Sequence, residues 1–121
     1  MKTDYFIFMK PTSDSFLMHE EIEWQPAGEG IRRQILGYDE KMMMVKVAFE
    51  KGAVGYAHAH FHAQSTYVVS GVFEFTVDGK KKIVSEGDGL YIAPNITHGT
   101  SCLEAGTLID VFSPLREDFL S

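Results

Sequence analysis

The chain has 121 residues, which at roughly 100 to 200 residues per domain points to one folded unit over residues 1–121. Apolar residues make up 45% and Gly outnumbers Pro eleven to four, a composition that supports a packed core with many tight turns and excludes disordered and collagen-like chains. Eleven basic against seventeen acidic residues leave a net charge of -6, the wrong sign for holding a nucleic-acid backbone through released counterions, so no nucleic-acid partner is expected.

The first apolar run, Tyr5 to Met9, is shorter than the ~7 to 15 residues of a secretory signal core and far below the ~20 of a membrane span. No membrane partner is expected. Cys102 is the lone cysteine, so an internal disulfide is impossible and the cytoplasm is the expected compartment. Tyr5 to Met9, Ile22 to Trp24 and Ile31 to Leu36 read as strands of an N-terminal extension over residues 1–36.

From Met42 to Phe112 the apolar residues recur mostly at period 2, with short turn signals between the runs. Met43, Val45, Val47 and Phe49 share one strand face, while Met42, Met44, Lys46 and Ala48 share the other. Gly52-Ala53-Val54-Gly55 ends that strand. Phe73 to Val77, the dipeptide Asp78-Gly79 and Lys80 to Val84 form a hairpin, because Asp-Gly supplies the positive φ values of a type I′ turn. Lys80, Lys81 and Lys82 then sit on a solvated edge. Glu86 to Gly89 makes a turn, Leu90 to Ile92 a short strand, Pro94-Asn95 another turn and Thr107 to Phe112 a last strand. The tail, residues 113–121, reads as a turn of helix or an extended strap. This succession is all-β, a sandwich or a closed barrel.

His58, His60 and His62 are spaced i, i+2, i+4, and Gln64 continues the series. On a strand alternate side chains point the same way, so His58 and His60 project together, close enough to share one metal ion. His98 arrives from another strand as a third nitrogen ligand, and Gln64 can add its carbonyl oxygen. A single strand histidine is more often exposed, or part of a polar groove. A His-x-His-x-His run between Gly52 and Gly71, with a fourth histidine after a Pro-Asn turn, favours the metal.

Gly52, His58, His60, Gln64 and Gly71 stand at the spacings of the first cupin motif, which this stretch resembles, with Gln64 where Glu is usual. Gly87 and Ala93-Pro94-Asn95-Ile96-Thr97-His98 resemble the second, with Ala93 at the usual Pro, Asn95 at the usual Gly turn and Cys102 where Asn is common. Asn also tolerates the left-handed conformation of such a turn, and Cys102 reads as a small buried filler. The resemblance implies a cupin double-stranded β-helix, a jelly-roll barrel with its core at about residues 42–112. It also implies one divalent metal ion on His58, His60, Gln64 and His98. His62 is extra, either supporting these ligands or taking the place of Gln64. Three neutral imidazoles and a neutral amide leave the ion's charge uncompensated, which suits Lewis-acid work on an anion better than stabilising a higher oxidation state of iron. Ligand type alone does not choose among Zn, Ni, Mn and Fe.

Gly30 to Tyr38, Met42 to Val45, Phe49 to Gly55 and Leu108 to Leu120 resemble the small single-domain cupins of the KdgF type, which serve pectin and alginate breakdown. That resemblance implies an enzyme opening the ring of 4,5-unsaturated uronate monosaccharides to the linear 5-keto-4-deoxyuronate. In such a reaction the anomeric hydroxyl loses a proton, the bond from C1 to the ring oxygen breaks and the resulting enolate is protonated at C4. It needs a proton carrier and positive charge beside the developing oxyanion.

The resemblance places Asp110 on the last strand facing the metal, where it reads as the proton carrier, with Phe112 as a wall against the sugar and Arg116 as a bidentate partner of the substrate carboxylate. Plainer accounts exist for each: a rim ion pair for Asp110, core packing for Phe112, a surface pair with Glu117 or Asp118 for Arg116. Arg32 and Arg33 are further cations, of which strand alternation allows at most one to face inward. Trp24, Met42, Met44 and Tyr67 are expected to line the pocket, although apolar strand residues are more often plain core. A homodimer is expected, since small cupins often pair through an extra strand; the sequence leaves open whether the N-terminal thirty residues exchange into a neighbour. Two other functions compete, a non-catalytic sugar-binding or sensor cupin and a cupin dioxygenase; Gln64 in place of Glu counts against the second.

Overall fold

The computed structural model describes residues 11–120. Eight strands follow in chain order: β1 (Gln25–Gly28), β2 (Ile31–Tyr38), β3 (Met43–Phe49), β4 (Val54–His58), β5 (Ala63–Val77), β6 (Lys80–Ser85), β7 (Gly89–Ile92) and β8 (His98–Ser113). Single 3-10 turns lie at His19–Glu21 and Glu117–Phe119. The hydrogen-bonded order is β1-β2-β3-β8-β5-β6, with β4 added on β8 and β7 on β5. The ladder does not close into a ring. Instead β5 and β8 pair along almost their whole lengths and change their outer neighbours midway. β5 runs beside β7 and then β6, and β8 beside β4 and then β3. This sharing folds the sheet over a single interior in the jelly-roll manner.

The period-2 pattern places the core. Met43, Val45, Val47 and Phe49 are buried, and Phe49 meets Phe73 edge to face at 5.2 Å. Register carries this interior face across the strands. Ile35, Val45, Asp110 and Thr66 form one cross-strand row, and Met43, Phe112, Gln64 and Ile92 the next. Polar residues of the site therefore stand directly on the apolar core, held by strand pairing rather than by loops.

Two turns behave as their residues require. Asp78 and Gly79 have φ of 51° and 77°, the pair of positive values expected for the β5–β6 hairpin. Gly71, at the irregular crossing of β5 over β8, has φ of 87°, and a Cβ there would lie 2.7 Å from the Glu104 carbonyl oxygen and from Gly106 Cα. Only glycine fits both demands.

The N-terminal expectations need correction. Ile22 to Trp24 is not a strand, and pairing begins at Gln25. The carbonyls of His19 and Ile22 accept hydrogen bonds from buried Gln34 Nε2, at 3.1 and 2.9 Å, instead of ladder bonds. Residues 11–28 lie against their own sheet, the Ser13 amide bonding the Tyr38 carbonyl at 2.9 Å and β1 pairing with β2. Tyr5 to Met9 falls outside the described residues. The last strand is far longer than Thr107 to Phe112, because polar Gly99-Thr100-Ser101 hides its first half from an apolar-pattern reading.

Candidate metal centre

Strand β4 ends at His58, and the chain bends through residues 59–62 before β5 begins. His60 thus lies in a bend, not on a strand as its spacing suggests. The Asn95 amide bonds the His60 carbonyl at 2.7 Å, tying this bend to the turn before β8, and Asn95 has the positive φ, 65°, expected there. His98 opens β8 opposite His58. One nitrogen from each of His58, His60 and His98 lies within 4.8 Å of the others.

The backbone sets which nitrogen faces the centre. Nδ1 of His58, His60 and His98 meets the carbonyls of Tyr56, His62 and Ile96 at 2.8, 3.0 and 2.8 Å. A carbonyl only accepts, so each Nδ1 carries the proton and each Nε2 keeps its lone pair for a ligand bond. Gln64 is oriented in the same way. Its Nε2 donates to Thr66 Oγ1 at 3.0 Å and Asp110 Oδ1 at 3.3 Å, turning Oε1 toward His60 Nε2 at 3.1 Å. Two acceptors then face each other, a conflict that a cation bonded to both removes. Burial holds His60 and His98 below the ordinary imidazole value, helped by the charges of Arg116 at His60 and His58 at His98. Neutral imidazoles are what a metal needs. Three nitrogens and an amide oxygen fit one divalent ion.

Beside this cluster Thr66 Oγ1 donates to Asp110 Oδ1 at 2.6 Å. Asp110 keeps some solvent contact through the cavity, yet its depth pushes the carboxyl up to about 6 against the opposing effect of Thr66, Gln64 and Arg116. Phe112 is buried, its ring 5.8 Å from that of His60, and Arg116 Cζ lies 5.0 Å from the Phe112 centroid. Arg116 also makes the surface pair, with Nε and an amino group on the two Asp118 oxygens at 3.1 and 2.9 Å. His58, Gln64, His98, Asp110, Phe112 and Arg116 all border one cavity of about 150 Å³, below the ~300 to 1,000 Å³ of pockets for drug-sized ligands. A larger groove of about 640 Å³ lies outside, beside Trp24 and Arg32, and holds none of these groups.

Not every expected residue joins them. Tyr67 and Met44 alternate with the interior rows and point outward, Tyr67 being 52% exposed. Met42 is exposed too, and Trp24 lies outside under Arg32, 4.2 Å from its Cζ. Alternation separates two strand faces without saying which one faces the cavity. Conversely, Arg33 borders the cavity, because β2 pairs it with interior Val47. His62 is buried against Phe61 and Phe112, outside the group of three, and its Nδ1 has no partner among the described residues.

The family model for the cupin domain matches residues 45–112. The pectin degradation protein KdgF of Dickeya dadantii (strain 3937) is 43% identical over 107 residues, covering 87% of this chain and 97% of that protein. Among solved structures, an RmlC-like cupin from Shewanella frigidimarina superposes with a TM-score of 0.87 at 46% identity, over 89% of this chain and 97% of that one. KdgF from Halomonas sp. gives 0.84 at 39% identity, over 88% and 99%. A match of this extent, spanning the strands that carry the histidines, identifies the chain as a small cupin of the KdgF type.

Proposed function

We propose that this protein is a metal-dependent enzyme that opens 4,5-unsaturated uronate monosaccharides, released from pectin or alginate, to the linear 5-keto-4-deoxyuronate. The observation that carries the reading is Asp110, a carboxyl joined through Gln64 to the histidine cluster in a cavity that Arg116 also borders. His58, His60, Gln64 and His98 would hold the ion. When bound it supplies Lewis-acid stabilisation of negative charge on a substrate oxygen. Arg116 takes the carboxylate, and Phe112 packs on the sugar face. Asp110 accepts the anomeric proton as the bond from C1 to the ring oxygen breaks, and a proton is delivered to C4 of the enolate. The product is an isomer of the substrate, so no co-reactant is needed.

The test uses metal-loaded protein with unsaturated galacturonate or mannuronate, following the ultraviolet absorbance of the conjugated enol ether. Loss faster than in buffer, reduced at least ~100-fold in Asp110→Ala and His60→Ala, is expected from the usual size of an acid-base contribution. Uronate binding without turnover would move the protein to a sugar-binding role.

We further propose a cytoplasmic homodimer formed through the outward sheet face, where Met42, Tyr67, Val69 and Tyr91 are 46%, 52%, 41% and 63% exposed. Exposed apolar side chains gathered on one sheet face suit a protein contact. Among the described residues no helix is long and apolar enough to cross a membrane.

A further inference from the structure

Strand β2 separates two adjacent arginines. Arg32 leaves the sheet over Trp24, whereas Arg33 turns to the cavity from the interior row. Its Nε donates to the neutral amide oxygen of Gln25 at 3.1 Å. Its Cζ stands 3.7 Å from the centroid of Phe119, and Arg116 Cζ stands 4.2 Å from the same centroid. A single ring of the C-terminal turn therefore carries two guanidiniums from opposite ends of the chain, and both border the cavity of Asp110 and the histidines. Stacking on a ring orients a guanidinium and leaves its edge free to donate.

The two cations disfavour each other. Burial lowers Arg33 below its ordinary value, and the charge of Arg116 lowers it further. Asp118 pairs with Arg116 and partly offsets the effect on Arg33, but it is 59% exposed and sits on the rim. Like charges converging on a small concave space are relieved by an anion placed between them.

We propose that Arg33 is a substrate-binding and specificity-determining residue: with Arg116 it clamps the carboxylate of an acid sugar, and Phe119 sets the spacing of the two guanidiniums. This rests on reading the cavity as a uronate site. The clamp makes the cavity select hexuronates over neutral hexoses by charge rather than by shape.

Calorimetric titration of the metal-loaded protein with galacturonate, a saturated uronate that has no double bond to lose, reads the clamp apart from turnover. Galactose serves as the neutral comparison. Arg33→Gln is expected to weaken galacturonate binding at least tenfold. Arg33→Lys, which keeps the charge and much of the packing but lacks the planar fork, should lose about threefold or more. Arg32→Gln should match wild type, and galactose should bind equally weakly to all four. With the unsaturated substrate, KM should rise more than kcat falls. Wild-type galacturonate affinity in folded Arg33→Gln or Arg33→Lys overturns the clamp and leaves the ring-opening reading standing. Arg33-dependent binding without turnover in wild type leaves the clamp standing and removes that reading. Failure of wild type to prefer galacturonate over galactose overturns both.

Discussion

Thr66 joins the two halves of the site. Its hydroxyl donates to Asp110 and accepts from Gln64, so one side chain orients both the proposed proton carrier and an amide that faces the histidines. The cost of the arrangement falls on Asp110, whose carboxyl is raised to about 6 mainly by burial. Unfolded, it would titrate at ~3.9. A folded value above the unfolded one means that its contribution to stability is full below ~3.9 and is lost as pH rises through about 6. The lowered histidines act in the opposite sense, losing stability as pH falls from ~6.5 toward their folded values. Comparing wild type with Asp110→Asn separates the two effects. In metal-free protein the variant should gain about 1 to 2 kcal/mol on wild type between about pH 4.5 and pH 7.5, read as a widening difference in melting temperature. A difference that stays constant over that range would refute the raised carboxyl.

At the scale of elements, the long strands β5 and β8 carry Gln64, Thr66, His98, Asp110 and Phe112, so their crossing sets the geometry of the site. Gly71 makes this crossing possible. Gly71→Ala combines left-handed strain with a Cβ 2.7 Å from backbone atoms that cannot rotate away, and a loss of about 2 to 5 kcal/mol is expected. Gly79→Ala, with φ of 77° and open space around it, should cost about 1 kcal/mol from strain alone. Urea denaturation of the two variants checks the ranking, and equal losses would remove the packing argument. Local chemistry made some elements legible. The Asp78-Gly79 hairpin followed from turn residues, and the strand at Met43 from period 2. Ile22 to Trp24 misled because the Ile22 carbonyl accepts from Gln34 Nε2 instead of joining a ladder. His60 misled because period 2 cannot reveal a bend that is held by a contact with Asn95, far along the chain.

For the molecule as a whole, the outward face is the proposed dimer contact. Tyr67 and Tyr91 lie on it, well removed from the cavity-facing rows. Gel filtration with light scattering should show a dimer for wild type, and Tyr67→Lys should shift it toward monomer while the bound metal per chain stays unchanged. A wild-type monomer would sink the proposal. By itself the sequence determined the all-β class, the convergence of His58, His60 and His98 and the turns at Asp78 and Asn95. Each depends on spacing or on a residue's own φ preference, which are local properties. Only the tertiary structure decided that Met44 and Tyr67 face outward, that Arg33 faces inward, and that Thr66 and Phe119 support the site. Those outcomes depend on cross-strand register and on where the C-terminal turn packs, and both are set by contacts between residues far apart in the chain.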